Sequence, residues 1–234
     1  MFHFKHFSVR QSVSAMKVGT DAMILGVLID SSKKHRGLDI GAGTGVLSLM
    51  VAQLNTTIQI DAVEIDELAA EECALNFKNS SWSGRLSILH KDFDNFNTEN
   101  KYDLIFSNPP YYATTNLNKD TRKAQARHEE NLPASIILQK VKELLSDKGE
   151  FWVIIPSSER EKWSLKAELN ALRIKTAISM KGKPNKDVNR VVLCLNHSAV
   201  LTEEKELTVR NMDNSYSDEY IELTKEFHAI DLRK

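Results

Sequence analysis

At 234 residues, with 41% hydrophobic and 27% charged residues, the chain has an ordinary globular composition, enough for one large domain or a domain with a small appendage. No apolar run approaches the length of a membrane span and the N-terminus lacks an apolar signal core, so a membrane protein is excluded and a cytoplasmic one is predicted. The net charge of −1 conceals an asymmetry: residues 1–36 carry +4, residues 119–128 carry +3 with His128 beside them, and residues 202–234 carry −4. Basic residues concentrated near a candidate site favour a polyanionic substrate over a neutral metabolite. Cys73 and Cys194 are far apart with no metal-ligand spacing and read as reduced core thiols; no metal is expected.

Residues 1–35 read as an N-terminal extension with a hairpin and a helix. Phe2, Phe4, Phe7, Val9 and Val13 follow an extended pattern and Gly19 supplies a turn. Thr20 or Asp21 would cap a helix over Ala22 to Leu28. His3 and His6 have no partner in the sequence and read as surface side chains.

Residues 36–200 read as a Rossmann-like core. Arg36 to Ile40 is a short strand, followed by Gly41-Ala-Gly43-Thr-Gly45 and a helix from Val46 to Leu54 that turns Val46, Leu49, Met50 and Leu54 inward. Glycines at 41, 43 and 45 let the backbone turn sharply and approach a ligand closely. Valine at 46 breaks the dinucleotide fingerprint, so a nucleoside cofactor without a pyrophosphate fits better. The next strand, Ile58 to Val63, ends in Glu64, which lies 23 positions after Gly41, close to the roughly 20 expected of an acid that binds ribose hydroxyls. Its two oxygens can accept both hydroxyls of a vicinal diol. Asp66 reads as the cap of a helix with Ala70, Cys73, Ala74 and Phe77 on its apolar face. A third strand, Leu86 to His90, leads to Asp92, an acceptor for an adenine amino group, with Phe93 lining the base.

The strand Tyr102 to Phe106 stops at Asn108-Pro109-Pro110-Tyr111. Two prolines cannot donate to a ladder, and each holds the preceding residue extended, so the turn offers carbonyl oxygens and no amide hydrogens. The Asn108 oxygen and a proline carbonyl can accept both N–H bonds of a planar –NH2 group while Tyr111 stacks on its face. Residues 114–130 lack periodicity and read as a basic loop over the site. Pro133 then starts a helix with Ile137, Leu138, Val141, Leu144 and Leu145 inward, closed by Gly149. Phe151 to Ile155 is a strand, and Ser158-Glu159-Arg160-Glu161 reads as a capping box opening a helix to about Leu172. Strands Ile174 to Met180 and Val188 to Asn196 flank Gly182-Lys183-Pro184-Asn185, which predicts an antiparallel hairpin. The expected fold is α/β and Rossmann-like, a seven-stranded, mostly parallel sheet with one antiparallel edge strand. Residues 201–234 add a C-terminal strand and helix. The candidate ligand residues all fall at the carboxyl ends of strands, the edge on which parallel α/β sheets bind ligands.

Asp39-Ile-Gly-Ala-Gly-Thr-Gly45, Glu64, Asp92 and Asn108-Pro-Pro-Tyr111 together resemble a class I S-adenosylmethionine-dependent methyltransferase of the amino-methylating type. Phe4-Lys-His-Phe-Ser-Val-Arg-Gln11, Ala15-Met-Lys-Val-Gly-Thr-Asp21 and Ala126-Arg-His128 are more specifically similar to bacterial tRNA adenine-N6 methyltransferases, which act on the adenine immediately 3′ of the valine anticodon. The likeness covers nearly the whole chain, including a helix from Tyr216 to Phe227. It implies Asn108, Pro109 and Tyr111 as catalytic residues. It implies a cofactor site made by Thr20, Asp21, Asp39, Gly41, Gly43, Gly45, Glu64, Asp92, Phe93 and Asn108, with Thr20 and Asp21 beside the cofactor's amino-acid end. Lys5, Arg10, Lys17, Arg122, Arg127 and His128 would contact tRNA, and the enzyme would act as a monomer. The alternatives are glutamine methylation of a peptide release factor, methylation of an adenine or guanine in ribosomal RNA, and a non-catalytic RNA-binding module on the same scaffold.

Overall fold

The computed structural model describes residues 1–14, 17–110, 133–198 and 201–233. Two short strands, β1 (Phe2–His3) and β2 (Ser8–Val9), pair antiparallel as the expected N-terminal hairpin. Helix α1 (Thr20–Leu28) follows, and it begins two residues before the expected start. Gly19, not Thr20 or Asp21, is its N-cap, and no side chain caps it.

The chain then alternates strands and helices: β3 (Arg36–Ile40), α2 (Val46–Leu54), β4 (Gln59–Glu64), α3 (Glu67–Lys78), β5 (Leu86–His90) and β6 (Tyr102–Ser107). After residue 133 come α4 (Ala134–Leu144), β7 (Leu145–Pro156), α5 (Arg160–Leu169), β8 (Arg173–Lys181), β9 (Val188–Asn196), β10 (Glu203–Thr208) and α6 (Asp218–Thr224). Strands β3 to β10 form one sheet in the order β10-β8-β9-β7-β6-β3-β4-β5. The sheet therefore has eight strands rather than seven, because the C-terminal strand joins it beyond β8 and runs parallel to it. The antiparallel strand is β9, which lies inside the sheet between β7 and β8, not at an edge.

Both faces of the sheet are covered, as a parallel sheet requires. Side chains alternate: Leu104 and Phe106 of β6, with Trp152 and Ile154 of β7, meet α1, α2 and α3 on one side. Ile105, Phe151, Val153 and Ile155 meet Ile137, Leu138, Val141 and Leu144 of α4 and Trp163 of α5 on the other. Phe4, Phe7 and Val9 bring the hairpin into the first cluster. Cys73 and Cys194 are buried and unbonded to each other.

Several local expectations are corrected. Leu54 and Ala74 are exposed rather than inward, on the solvent side of their helices. Gly149 does not close α4; it lies within β7, where a Cβ would meet Leu145 Cδ1 at 2.7 Å and the Tyr102 carbonyl at 2.9 Å. No capping box opens α5, because a 3₁₀ turn (Ser157–Glu159) precedes it and Glu159 makes no cap bond. Asp66 does cap α3, accepting from the amide of Ala69 at 2.8 Å.

Candidate active site

The order β5-β4-β3-β6-β7 places the switch in winding direction between β3 and β6. Open α/β sheets bind ligands there, in the crevice beyond the carboxyl ends of the strands. A cleft at this point is lined by Gly41, Ala42, Gly43, Thr44, Val46, Leu47 and Asn108, with Lys17, Val18 and Ala22 closing it from the N-terminal side. The glycine loop and Asn108, 63 residues apart in sequence counted from Gly45, thus line one cleft.

The loop is built by backbone bonds. The amides of Gly41 and Ala42 both donate to the carbonyl of Val63, at 2.9 and 3.1 Å, which extends β3 past its last residue. Gly43 donates to Glu64 Oε2 at 2.7 Å. Gly41, Gly43 and Gly45 have φ of 68°, 54° and 77°, in the left-handed region where a side chain is strained. Nothing lies within 4 Å of where a Cβ of Gly41 would stand, so the backbone there is open to a ligand.

Glu64 is nearly buried, and its Oε1 also accepts from the amides of Ile65 and Asp66 at 2.9 and 3.0 Å. A carboxylate offers roughly four acceptor sites, so three amides leave one, on Oε2, for a hydroxyl. The carboxylate thus has fewer free acceptor sites than the bidentate diol grip expected from the sequence would use. Asp39 is fully buried and lies beneath the loop rather than in the cleft wall. Its Oδ2 accepts from Ser48 Oγ at 2.7 Å, while Oδ1 has no hydrogen-bond partner among the described residues. Burial raises its pKa to about 7, helped by the negative charge of Glu64 and opposed by the Ser48 bond.

Asp92 is half-buried and caps a 3₁₀ turn by accepting from the amide of Asp94 at 3.0 Å. Phe93 departs from expectation: its ring is 3% exposed, packs on Phe96 at a centroid distance of 6.1 Å and lies under Lys140, so it belongs to the core. Thr20 is exposed at the start of α1, and Asp21 next to it pairs with Arg190 Nε at 2.8 Å. Asn108 faces the cleft, Pro109 is buried and Pro110 half-buried.

Of the predicted tRNA contacts, Lys5 pairs with Glu226 at 2.9 Å and Arg10 has Nε 3.8 Å from Glu72, both partly exposed. Lys17 lines the cleft. Tyr111, Arg122, Arg127, His128 and the 114–130 loop lie outside the described residues. Sequence reasoning missed Val18, Ala22 and Leu47 as cleft walls and Arg190 as the partner of Asp21; the first turns of α1 and α2 flanking the glycine loop were the available signal for Ala22 and Leu47. Among the described residues, no group of three or more His, Cys, Asp or Glu is placed to hold a metal, and no helix is long and apolar enough to cross a membrane.

A family model, the methyltransferase small domain, matches residues 11–179. Solved structures of similar fold include a predicted O-methyltransferase from Agrobacterium tumefaciens, with a TM-score of 0.70 at 15% identity over 88% of this chain and 96% of that one. A methyltransferase from Pyrococcus furiosus has a TM-score of 0.61 at 19% identity, over 82% and 90%. At those identities the likeness is one of fold. Sequence relatives are much nearer. The tRNA1(Val) (adenine(37)-N6)-methyltransferase of Flavobacterium psychrophilum is 40% identical, over 97% of this chain and 99% of its own. That of Vibrio campbellii is 34% identical, over 97% and 95%. With a methyltransferase core, a glycine-loop cleft shared with Asn108 and likeness along almost its full length, the chain belongs to the tRNA1(Val) (adenine(37)-N6)-methyltransferase family.

Proposed function

We propose that this protein transfers a methyl group from S-adenosylmethionine to the exocyclic N6 of an adenine in tRNA, namely the adenine immediately 3′ of the valine anticodon, and that it works as a cytoplasmic monomer. The observation that carries the reading is the meeting of Asn108 with the glycine loop in one cleft.

The residues fit the cofactor on three structural grounds. Gly41 leaves open space against the loop, Glu64 retains one acceptor site, and Val18, Ala22, Val46 and Leu47 provide apolar walls. Gly41, Gly43 and Glu64 would hold its nucleoside, Asp92 its adenine amino group, and Thr20 with Asp21 its amino-acid end. When bound, S-adenosylmethionine supplies a methyl group on a sulfonium, which is already a good leaving group.

What remains for the protein is to orient a weak nucleophile. The adenine N6 lone pair is delocalised into the ring. The Asn108 side-chain oxygen and the Pro109 carbonyl would accept its two N–H bonds and turn the lone pair out of conjugation. Tyr111 would stack on the base once it has left its own stack. Positioning of this kind can supply ~7–11 kcal/mol of barrier reduction at its favourable limit. The N6 proton leaves to water after transfer, so no dedicated base is needed. Lys5, Arg10, Lys17, Arg122, Arg127 and His128 would share the phosphate contacts.

The test is transfer of labelled methyl from S-adenosylmethionine to unmodified cellular tRNA, with purified release factor and ribosomal RNA in parallel. Label in tRNA supports the proposal, whereas label in release factor or ribosomal RNA alone moves the activity to that substrate.

A further inference from the structure

Helix α3 carries two polar side chains buried against the N-terminal segment. Glu72 is 2% exposed, and burial of a carboxylate is costly unless it is bonded. Its Oε1 accepts from the amide of Ser12 at 2.6 Å, and its Oε2 from those of Ser14 at 3.1 Å and Val13 at 3.4 Å. Arg10 Nε stands 3.8 Å from Oε1. Bonds from amides to a charged oxygen are roughly twice as strong as neutral ones. They hold the Glu72 carboxyl below its ordinary pKa although burial pushes the other way.

Four residues on, hence on the same helical face, Asn76 is 3% exposed. It accepts from the Arg10 amide at 2.8 Å and donates to the carbonyls of Arg10 and Thr44, both at 2.9 Å. One side chain thereby ties the N-terminal segment to the glycine loop. Gln11 carries the connection onward: its side-chain oxygen accepts from the amide of Val18 at 2.7 Å, and its carbonyl accepts from Lys17 Nζ. Lys17 and Val18 are walls of the cleft.

We propose that Glu72 and Asn76 are positioning residues that hold residues 10–14 as a strap, and that through Gln11 this strap sets Lys17 and Val18 against the glycine loop. Cofactor affinity then depends on two α3 side chains and one glutamine that do not themselves line the cleft. The proposal rests on the reading of the cleft as the S-adenosylmethionine site. It also gives the buried charge on α3 a purpose that packing alone does not: a leucine at 72 would fill the space and release the strap.

The experiment measures binding of S-adenosylhomocysteine by calorimetry to the wild type, Glu72→Gln and Gln11→Ala. Amide hydrogen exchange is followed in the same proteins without ligand. Glutamine at 72 keeps the shape but turns an –NH2 toward amide donors. In that variant, exchange at residues 12–14 rises about tenfold or more while β3 to β7 amides keep wild-type protection. In both variants Kd rises about tenfold, the scale of one lost hydrogen bond. Normal wild-type binding with both variants within twofold of it would overturn this proposal alone. An affinity loss matched by faster exchange throughout the sheet would also overturn it, because the effect would then be global destabilisation. Absence of binding by the wild type would overturn the cofactor reading as well.

Discussion

Ser107 Oγ donates to the carbonyl of Ile40 at 2.8 Å, and both residues are fully buried. The bond fastens the last residue of β6 to the last residue of β3, so the next residues, Asn108 and Gly41, start from a fixed relative height. Removing the hydroxyl leaves a buried carbonyl short of a partner, at a cost of about 1–3 kcal/mol. Ser107→Ala should lose stability by that amount in urea unfolding. Its kcat should also fall by about 10-fold to 100-fold, because small misplacements of a positioned group are expensive. Unchanged turnover would show that the clamp does not set the catalytic geometry.

Two glycines of the loop should respond differently to alanine. At Gly45 a Cβ would meet Phe77 Cε1 at 2.5 Å and Cys73 Sγ at 2.6 Å, whereas at Gly41 it would meet nothing within 4 Å. Both have positive φ, which costs an alanine about 1–2 kcal/mol. Overpacking adds about 1–3 kcal/mol at Gly45 only. Gly45→Ala should therefore be the less stable variant in urea unfolding, and equal losses would contradict the packing argument.

Much of this architecture could be read from the chain because the repeating βα units place punctuation where the pattern changes. The limits of β3, α2, β5 and β9, and the buried face of α4, agree with their residue patterns. The place of the eighth strand in the sheet is not legible in the sequence because Glu203-Glu-Lys-Glu-Leu-Thr208 is an edge with only Leu207 buried and shows no alternating apolar pattern. Helix α1 starts earlier than its residue pattern suggests because Gly19 caps it with no side-chain bond. The roles of Glu72 and Asn76 are not legible in the sequence, since their partners at Ser12 and Arg10 are backbone groups 60 and 66 residues away, which no local pattern encodes. The position of Phe93 after Asp92 points it to the ligand, whereas its ring is 3% exposed and packed in the core.

Burial of Asp39 gives stability a defined pH dependence. Its carboxyl titrates at about 7 in the fold, against 3.8 ordinarily. Between those values the folded state binds more protons than the unfolded one, so stability falls as pH rises from about 4 through 7. Asp39→Asn removes this contribution. The wild type should therefore lose more stability than the variant between pH 5 and pH 8, by roughly 2–3 kcal/mol, since about two pH units of that window lie below the folded pKa. Parallel pH profiles would contradict the assignment.

Association with tRNA should weaken steeply with salt, since phosphate neutralisation releases counterions. Each phosphate contact removed should lower the slope of log K against log salt by roughly 0.7–0.9. Arg10→Gln is the informative case, with its side chain 58% exposed at the start of the strap. An unchanged slope would remove Arg10 from the tRNA surface.

Whether Asn108 presents an adenine amino group to the methyl donor is decided by comparing wild type with Asn108→Ala. The measurement is single-turnover methyl transfer to unmodified tRNA at saturating S-adenosylmethionine, with nucleoside analysis of the product and calorimetric binding of S-adenosylhomocysteine. The wild type should yield N6-methyladenosine. The variant should bind S-adenosylhomocysteine with a Kd within a few-fold of wild type but react about 10²–10³-fold more slowly, the loss typical of removing one preorganised hydrogen-bonding group. Near-normal turnover by Asn108→Ala, or label in any nucleoside other than N6-methyladenosine, would contradict that role of Asn108.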